Sequence, residues 1–437
     1  MRVTWRSGPL AVRSFRLLAG GQFASTIGDY CYAVALPWLV LSARGGAILL
    51  GTVLACYGVP RTVLIPAGGV LADKVGPRTL MLAADAVRCV VVAGLTVLAA
   101  RHVASLAALG PVAAFIGAGE GLFIPASYAI MPSLLDGKRL AAGNALSTAA
   151  MQAGSLLGPA LGGALVAGTG ASTVAFAVDA ASFGISALTL LLIPRRPAAG
   201  SVAAAAAEAA AGTAEPAAPG GVLALLRRSR AFQVILVVVI AANLAGGGMG
   251  EVALPALAHA KYGAAGYGAL LACLAVGGIA GTLGAARTGN LRSPVMFASA
   301  VFLAESVCIA LVPYLGGEPG AAVFLCLSGV CNGLGNVIFL TVMQKWVSPG
   351  LLGRVMGVLM LCAFGSFPLS VAVSGVLVRH LGPVPFFPVA GALVAVAMLF
   401  GLTQREFRAF GATRDGGDPA AVAQAADGSQ AAEGSRK

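Results

Sequence analysis

The chain has 437 residues, of which 58% are hydrophobic and only 10% are charged. Soluble domains carry about 25% charged residues, so this composition excludes an ordinary soluble protein and indicates a membrane protein. Basic residues in cytoplasmic loops explain the formal net charge of +12, and we expect a lipid bilayer, not nucleic acid, as the partner. The eight cysteines lie in apolar runs without metal-ligand spacing, so we expect neither a disulfide framework nor a bound metal.

Twelve apolar runs follow one another along the chain, and each is long enough to span a bilayer. Because backbone groups in lipid must be hydrogen-bonded within their own segment, each run predicts a helix. The runs form two sets of six: 19–43, 47–72, 79–100, 104–129, 145–168 and 172–194, then 231–258, 264–286, 293–314, 319–343, 353–378 and 383–404.

These runs divide the chain into two six-helix halves. The segment between the halves is rich in Ala, Pro and Gly and predicts a flexible cytoplasmic linker, whereas the polar C-terminus predicts a disordered cytoplasmic tail. The predicted boundaries are 1–18 for a cytoplasmic N-terminus, 19–194 for the N-terminal half, 195–230 for the linker, 231–404 for the C-terminal half and 405–437 for the tail.

Lysine and arginine are divided unequally between alternate loops. If the N-terminus lies inside, the cytoplasmic side holds 22 of the 28, and the outer side holds only Arg44, Arg101, Lys261 and Arg379. This asymmetry predicts that both termini are cytoplasmic. The abundance of Arg, Ala and Gly is typical of bacterial chains, so we expect a multi-pass protein of a bacterial plasma membrane.

Two parts of the chain are similar at a nearly constant spacing. "ALPWLVL" begins at residue 35 and "ALPALAH" at residue 253, and Gly69 and Leu71 correspond to Gly281 and Leu283. Such matches indicate an internal duplication. Two like-oriented sets of six helices predict an all-α integral membrane fold with a pseudo-two-fold repeat. In transporters with this layout, the substrate site lies between the halves near the bilayer midplane.

Six acidic residues lie within the predicted spans. A buried charge there costs about 2.5–3.5 kcal/mol on insertion scales and is a functional hypothesis by default. Asp85 and Arg88 are three residues apart, a spacing at which two side chains on one helix face can form an ion pair. The acidic residues are Asp29, Asp85, Glu120, Asp179, Glu251 and Glu305.

Residues 69–81 resemble the signature that the major facilitator superfamily carries between helices 2 and 3. The matching residues are Gly69, Leu71, Ala72, Asp73, Lys74, Gly76 and Arg78. Pro77 stands where a basic residue is usual. We interpret residues 73–78 as a loop, and the resemblance implies a conformational switch. In it, Asp73 bonds helix N-termini across the two halves or pairs with Arg88 or a nearby cation, and so latches the outward-facing state.

"GSLLGPALGG" on helix 5 resembles the signature of proton-coupled antiporters in that superfamily. Its matching residues are Gly154, Gly158, Pro159, Gly162 and Gly163. Glycines four residues apart share one helix face and let another helix approach closely, and a proline can bend the helix. The resemblance implies a seal on the cytoplasmic side that suppresses leak and favours exchange. The Arg of the superfamily's helix 4 signature is absent, since "AAFIGAGEG" offers only Glu120.

Four further stretches resemble the branch of macrolide-efflux and enterobactin-exporter proteins: "GDYCYAVALPWLVL", "PASYAIMPSLL", "AFAVDAASF" and "LLGRVMGVLM". In this fold helices 1, 4 and 7 line the central cavity, so the resemblance implies proton-coupling or substrate roles for Asp29, Glu120 and Glu251. The alternative for each is a carboxyl that is hydrogen-bonded to a neighbouring helix. Helices 6 and 9 are peripheral, which implies structural roles for Asp179 and Glu305.

Other polar residues in the spans have two readings each. Arg61 is a candidate partner for Asp29 or an anchor for an anionic substrate. Gln152, Asn332 and Asn336 contribute hydrogen bonds either in the cavity or between packed helices.

The expected function is a secondary active transporter of the major facilitator fold. We expect a monomeric proton-coupled antiporter that exports amphiphilic or lipophilic molecules, such as drugs, antibiotics or siderophore-like metabolites, by alternating access. The proton gradient supplies the energy, and no cofactor is expected. The alternatives are a facilitator or importer of a small metabolite, or a non-transporting sensor or scaffold. We expect no enzyme, because His102, His259 and His380 all lie near the outer side and no phosphate-binding loop occurs.

Overall fold

The structure is a computed structural model that describes residues 8–42, 46–194, 229–285, 287, 293–346 and 349–409. All regular secondary structure in these ranges is helical. Twelve of the described helices are long and apolar enough to cross a membrane, which confirms the predicted all-helical fold with twelve spans.

The spanning helices are named here in chain order. They are α1 (Arg13–Ser42), α2 (Gly46–Val75), α3 (Pro77–Ala100), α4 (Leu106–Leu134), α5 (Gly137–Thr169), α6 (Thr173–Leu192), α7 (Arg230–Lys261), α8 (Gly263–Ala285), α9 (Pro294–Leu311), α10 (Gly317–Trp346), α11 (Pro349–Leu381) and α12 (Pro383–Thr403). A 3₁₀ turn precedes α1 at Pro9–Ala11, and a short helix, α13, follows α12 at Arg405–Ala409.

Two predicted end segments are therefore partly helical. α1 begins at Arg13, within the segment predicted as an N-terminal extension, and α13 occupies the start of the predicted tail. The rest of the tail lies outside the described residues, as does the linker except for its last two positions, and α7 begins at Arg230.

The connection between α2 and α3 is much shorter than the predicted loop. α2 continues through Asp73 and Lys74 to Val75, and α3 begins at Pro77. Gly76 alone joins them, with a φ of 86° that favours glycine. Proline is well suited to the first position of a helix because its missing N–H has no intrahelical partner there. The loop prediction was wrong because the charges and the proline belong to helix ends.

The two halves have equivalent internal packing. In the N-terminal half α1 packs on α5 and α6, α2 on α4, and α3 on α4 and α6. In the C-terminal half α7 packs on α11 and α12, α8 on α10, and α9 on α10 and α12. This correspondence agrees with the duplication inferred from the sequence.

The halves are also oriented alike. Ser42 at the end of α1 is 3.2 Å from the Nε2 atom of His259 near the end of α7, and the Trp38 ring lies against the same histidine. We call this end of the bundle the distal end, and the end where α1 begins the proximal end.

Two close helix contacts hold the halves together toward the distal end. A Cβ atom on Gly51 of α2 would lie 3.1 Å from the Cα of Gly375 on α11, and one on Gly163 of α5 would lie 3.0 Å from the Cα of Gly268 on α8. Only glycine allows backbones to approach this closely. The two contacts are related by the repeat, since α2 corresponds to α8 and α5 to α11.

Candidate functional site in the central cavity

Glu120 on α4 is positioned by the glycines that flank it. A Cβ on Gly121 would lie 2.5 Å from the Arg61 carbonyl oxygen, and Gly117 packs equally closely on the Tyr57 carbonyl of α2. Both pairs are spaced by four residues, so α4 lies directly on α2 along one helix face. The "GAGEG" sequence thus brings the Glu120 carboxylate to Tyr57 and Arg61.

The Glu120 carboxylate is held by two side chains of α2. The Arg61 Nη2 atom is 3.1 Å from Glu120 Oε1, and the Tyr57 hydroxyl donates a hydrogen bond to Oε2. Arg61 and Glu120 keep 17% and 26% of their side-chain surface exposed. The ion pair is therefore partly screened from solvent but not fully buried.

Arg61 also contacts the other half. Its guanidinium carbon lies 4.7 Å from the ring centre of Phe364 on α11, a cation–π distance. The neighbouring Thr62 donates a 3.0 Å hydrogen bond to the Phe364 carbonyl, and the Tyr57 ring meets Phe367 edge-on at 6.2 Å. The expected pairing of Arg61 with Asp29 is not seen, because the ion pair of Arg61 is with Glu120.

Glu251 lies in an irregular turn of α7. Residues Met249–Ala253 form a π-helical segment, and such single-turn segments are frequent at functional sites. The side chain is half-buried and lies within electrostatic range of Arg61 and Glu120. Glu251, which belongs to the C-terminal half, thus adds a second carboxylate to the region of Glu120.

Asp29 on α1 has a different environment. It is exposed, and within the described residues it makes no hydrogen bond or ion pair. It lies within electrostatic range of Arg61 and Glu120 in this site and of Arg88 and Asp85 behind it. The structure therefore pairs Arg61 of α2 with Glu120 of α4, and Asp29 of α1 and Glu251 of α7 lie within electrostatic range of that pair.

The glycines of the helix 5 motif face α1 beside Asp29. Added Cβ atoms on Gly154, Gly158 and Gly162 would meet Thr26, Tyr30 and Cys31 at 2.5 to 2.9 Å. This agrees with the predicted close approach of another helix. Gly163 instead faces α8 of the other half.

The helix 5 seal, expected on the cytoplasmic side, stays a prediction. The contact of Gly163 with Gly268 lies toward the distal end, because Gly268 is near the start of α8 and Gly163 near the end of α5. The expectation placed the seal at the end that carries the termini, which is the proximal end.

The helix 2–3 motif lies at the proximal end. Asp73 and Lys74 are exposed, and no hydrogen bond or ion pair joins Asp73 to another residue in the part of the chain that the structure describes. Arg78 donates to the carbonyls of Leu190 and Leu191, at 2.8 and 3.0 Å, and so caps the end of α6. An added Cβ on Gly69 would meet nothing within 4 Å.

Asp85 and Arg88 form the ion pair that their spacing predicts, at 2.5 Å. Ser186 on α6 donates to the other Asp85 oxygen at 2.6 Å. The Arg88 guanidinium lies between the rings of Phe123 and Phe183. Arg88 is thus buried and engaged, which excludes the expected pairing with Asp73 in this conformation.

The remaining polar candidates lie apart from the cluster. Gln152 is exposed on α5. Asn332 donates to Glu305 Oε1 at 3.0 Å, and Asn336 donates to the Asn332 side chain at 2.9 Å. Asn332 therefore makes a hydrogen bond between packed helices, from α10 to α9, whereas Asn336 bonds within α10.

Sequence reasoning missed one residue of the site. Tyr57 contacts Glu120 and Arg61, but a single aromatic residue in a span carries no distinctive signal. The matching four-residue spacing of Tyr57 and Arg61 with Gly117 and Gly121 was the available clue. Among the described residues, no group of three or more His, Cys, Asp or Glu is arranged to hold a metal ion.

Known proteins resemble this chain over most of its length. A family model described as Major Facilitator Superfamily matches residues 18–367. The chain is 26% identical over 393 residues to the uncharacterized MFS-type transporter YfiS of Bacillus subtilis (strain 168), covering 88% of this chain and 91% of the relative. It is also 26% identical over 393 residues to the multidrug efflux pump Tap of Mycolicibacterium fortuitum, covering 86% and 91%.

Solved structures share the fold. A POT family transporter superposes with a TM-score of 0.70 at 14% identity, covering 90% of this chain and 96% of that one. A D-xylose-proton symporter superposes with a TM-score of 0.66 at 12% identity, covering 88% and 96%. With a family model that matches most of its length and twelve spanning helices in two equivalent halves, the chain belongs to the major facilitator superfamily of membrane transporters.

Proposed function

We propose that the chain is a proton-coupled antiporter that exports amphiphilic or lipophilic small molecules by alternating access across a bacterial plasma membrane. In this proposal the proximal end and both termini face the cytoplasm, the chain acts as a monomer, and the proton gradient supplies the energy. One observation carries the proposal. Arg61 is ion-paired to Glu120 in its own half and stacked on Phe364 of the other half.

This double contact links the charge of one carboxylate to the contact between the halves. If Glu120 takes up a proton, Arg61 loses its counter-charge while it is still largely buried. Leaving one member of a partly buried ion pair without its counter-charge is destabilising. The protonation state of Glu120 therefore changes the relative stability of conformations that differ in the α2–α11 contact.

The site also favours a class of substrate. The carboxylates of Asp29 and Glu251 lie within electrostatic range of the Arg61–Glu120 pair, and aromatic rings of both halves lie beside that pair. A cationic amphiphile complements this arrangement because its charge meets the carboxylates and its apolar part meets the rings. Since proton and substrate use the same carboxylates, they exclude each other, which is the condition for exchange. Resemblance to a relative named as a multidrug efflux pump supports this class.

Accumulation of a fluorescent lipophilic cation in cells tests the proposal. We expect cells with the protein to accumulate less than cells without it, and a protonophore to abolish the difference. A difference that survives the protonophore supports the alternative of facilitated diffusion. Greater accumulation in cells with the protein supports import, and no difference across a panel of compounds supports a sensor or scaffold.

A further inference from the structure

Asp179 on α6 is a buried acid that the central site does not use. Only 1% of its surface is exposed, and its Oδ1 atom is buried without a hydrogen-bond partner. Ser182 donates to the Asp179 backbone carbonyl at 2.8 Å. Ser182 Oγ lies near this oxygen, since both would meet a Cβ added to Gly28, and the hydroxyl is the one donor beside the carboxyl among the described residues.

The unpartnered oxygen points at α1 beside Asp29. A Cβ added to Gly28 would lie 2.7 Å from Asp179 Oδ1, so the absence of a side chain at Gly28 makes room for this carboxyl. The next residue, Asp29, is exposed on the same helix. The two carboxyls lie within electrostatic range of each other.

The charges that face this pair do not neutralise Asp179. Arg88 on α3 is the cation within range of both acids, but its ion pair is with Asp85. Asp85 is itself satisfied by Arg88 and Ser186. Arg61 and Glu120, which face Asp29 from α2 and α4, are paired with each other. A buried carboxylate with no cation paired to it is strongly unfavourable, whereas a protonated carboxyl is not.

We propose that Asp179 holds a proton in this conformation and exchanges it with Asp29, so that the two carboxyls form a second proton site separate from the Arg61–Glu120 pair. In the transfer the O–H bond of Asp179 breaks and an O–H bond forms on Asp29. Asp179 becomes the carboxylate, and Asp29 then releases the proton to the cavity. Asp179 thus holds the proton, and Asp29 is the member of the pair that is accessible from outside the protein interior. The role in transport rests on the proposed proton coupling, but the proton site itself does not.

Infrared spectroscopy of the full chain in lipid, titrated with pH, tests the site without any transport assay. Protonated buried carboxyls give a carbonyl stretching band. We expect Asp179→Asn to remove one such band. We also expect Asp29→Asn to keep that band but move the pH at which it disappears by about tenfold or more in proton concentration, as for two interacting acids.

Glu305→Gln is the matched control, since Glu305 is also a buried acid on a peripheral helix but has Asn332 as its donor. It should leave the pH dependence of the Asp179 band unchanged. If Asp179→Asn removes no band, Asp179 is charged and the proposal is overturned. If Asp29→Asn leaves the titration of the band unchanged, the carboxyls do not exchange a proton, and the proposal is overturned even if Asp179→Asn fails to fold. If the wild type shows no proton-driven export, that result contradicts only the proposed function.

Discussion

Arg61 and Phe364 join the two halves of the transporter, with the guanidinium carbon 4.7 Å from the ring centre. The same guanidinium is ion-paired to Glu120 at 3.1 Å. A change of charge at Glu120 therefore acts on Arg61, which already contacts the C-terminal half. No relay through other residues is needed to connect protonation with the contact between the halves.

Replacing Glu120 with Gln tests this connection. The variant leaves Arg61 without a counter-charge, and we expect transport driven by a pH gradient to fall at least tenfold, since about 1.4 kcal/mol corresponds to a factor of ten. Uptake by proteoliposomes under an imposed gradient measures the effect. Glu305→Gln should transport normally, and equal loss in both variants would show that the effect is not specific to the site.

Tyr57→Phe removes only the hydroxyl that donates to Glu120. A hydrogen bond to a charged group contributes about 1.5–3 kcal/mol, so we expect the pH profile of transport to change while the aromatic contact with Phe367 remains. Transport rates measured over a pH series check this. A profile identical to that of the wild type would mean that the hydroxyl does not influence the carboxylate.

Gly163→Ala tests the closed distal end. Its Cβ would lie 2.7 Å from the Ala264 carbonyl oxygen of the other half, so we expect the halves to separate there. Distances between spin labels at the distal ends of α5 and α8 should shift to larger values. Gly168→Ala on the same helix is the control, because its Cβ would meet nothing within 4 Å, and its distance distribution should match that of the wild type.

Asp73→Asn tests the predicted switch at the proximal end. Asp73 makes no hydrogen bond or ion pair among the described residues in this conformation, so the substitution should not disturb the distal-closed state. If Asp73 latches the opposite state, we expect transport to be lost while membrane insertion and the distal spin-label distances stay normal. Full transport by Asp73→Asn would show that Asp73 does not act as a latch.

The sequence predicted those features that the bilayer itself imposes. The twelve apolar runs correspond to twelve helices, because a helix satisfies its backbone hydrogen bonds within one segment in lipid. The spacing of Asp85 and Arg88 was enough to predict their ion pair. The end of α2 was misplaced because charged residues just outside lipid can remain helical. Loop and helix end therefore look alike around Asp73 and Pro77.

The sequence did not predict which residues of separate helices contact each other. Whether Arg61 meets Asp29 or Glu120 depends on how α2 is rotated against α1 and α4, which Gly117 and Gly121 determine. The pairing of Gly163 with Gly268 depends on how the two halves dock. Asp179 was placed on a peripheral helix, but only its contact with Gly28 shows that its carboxyl faces α1, one residue from Asp29.

Proton movement driven by substrate is the most direct test of proton-coupled exchange through Glu120. Purified protein is reconstituted in liposomes with a pH-sensitive dye inside, and a lipophilic cation is added to one side without any imposed proton gradient. We predict that the added compound drives protons in the opposite direction in the wild type, and that Glu120→Gln abolishes this flux. Substrate movement without proton movement in the wild type, or an undiminished proton flux in Glu120→Gln, would contradict the account.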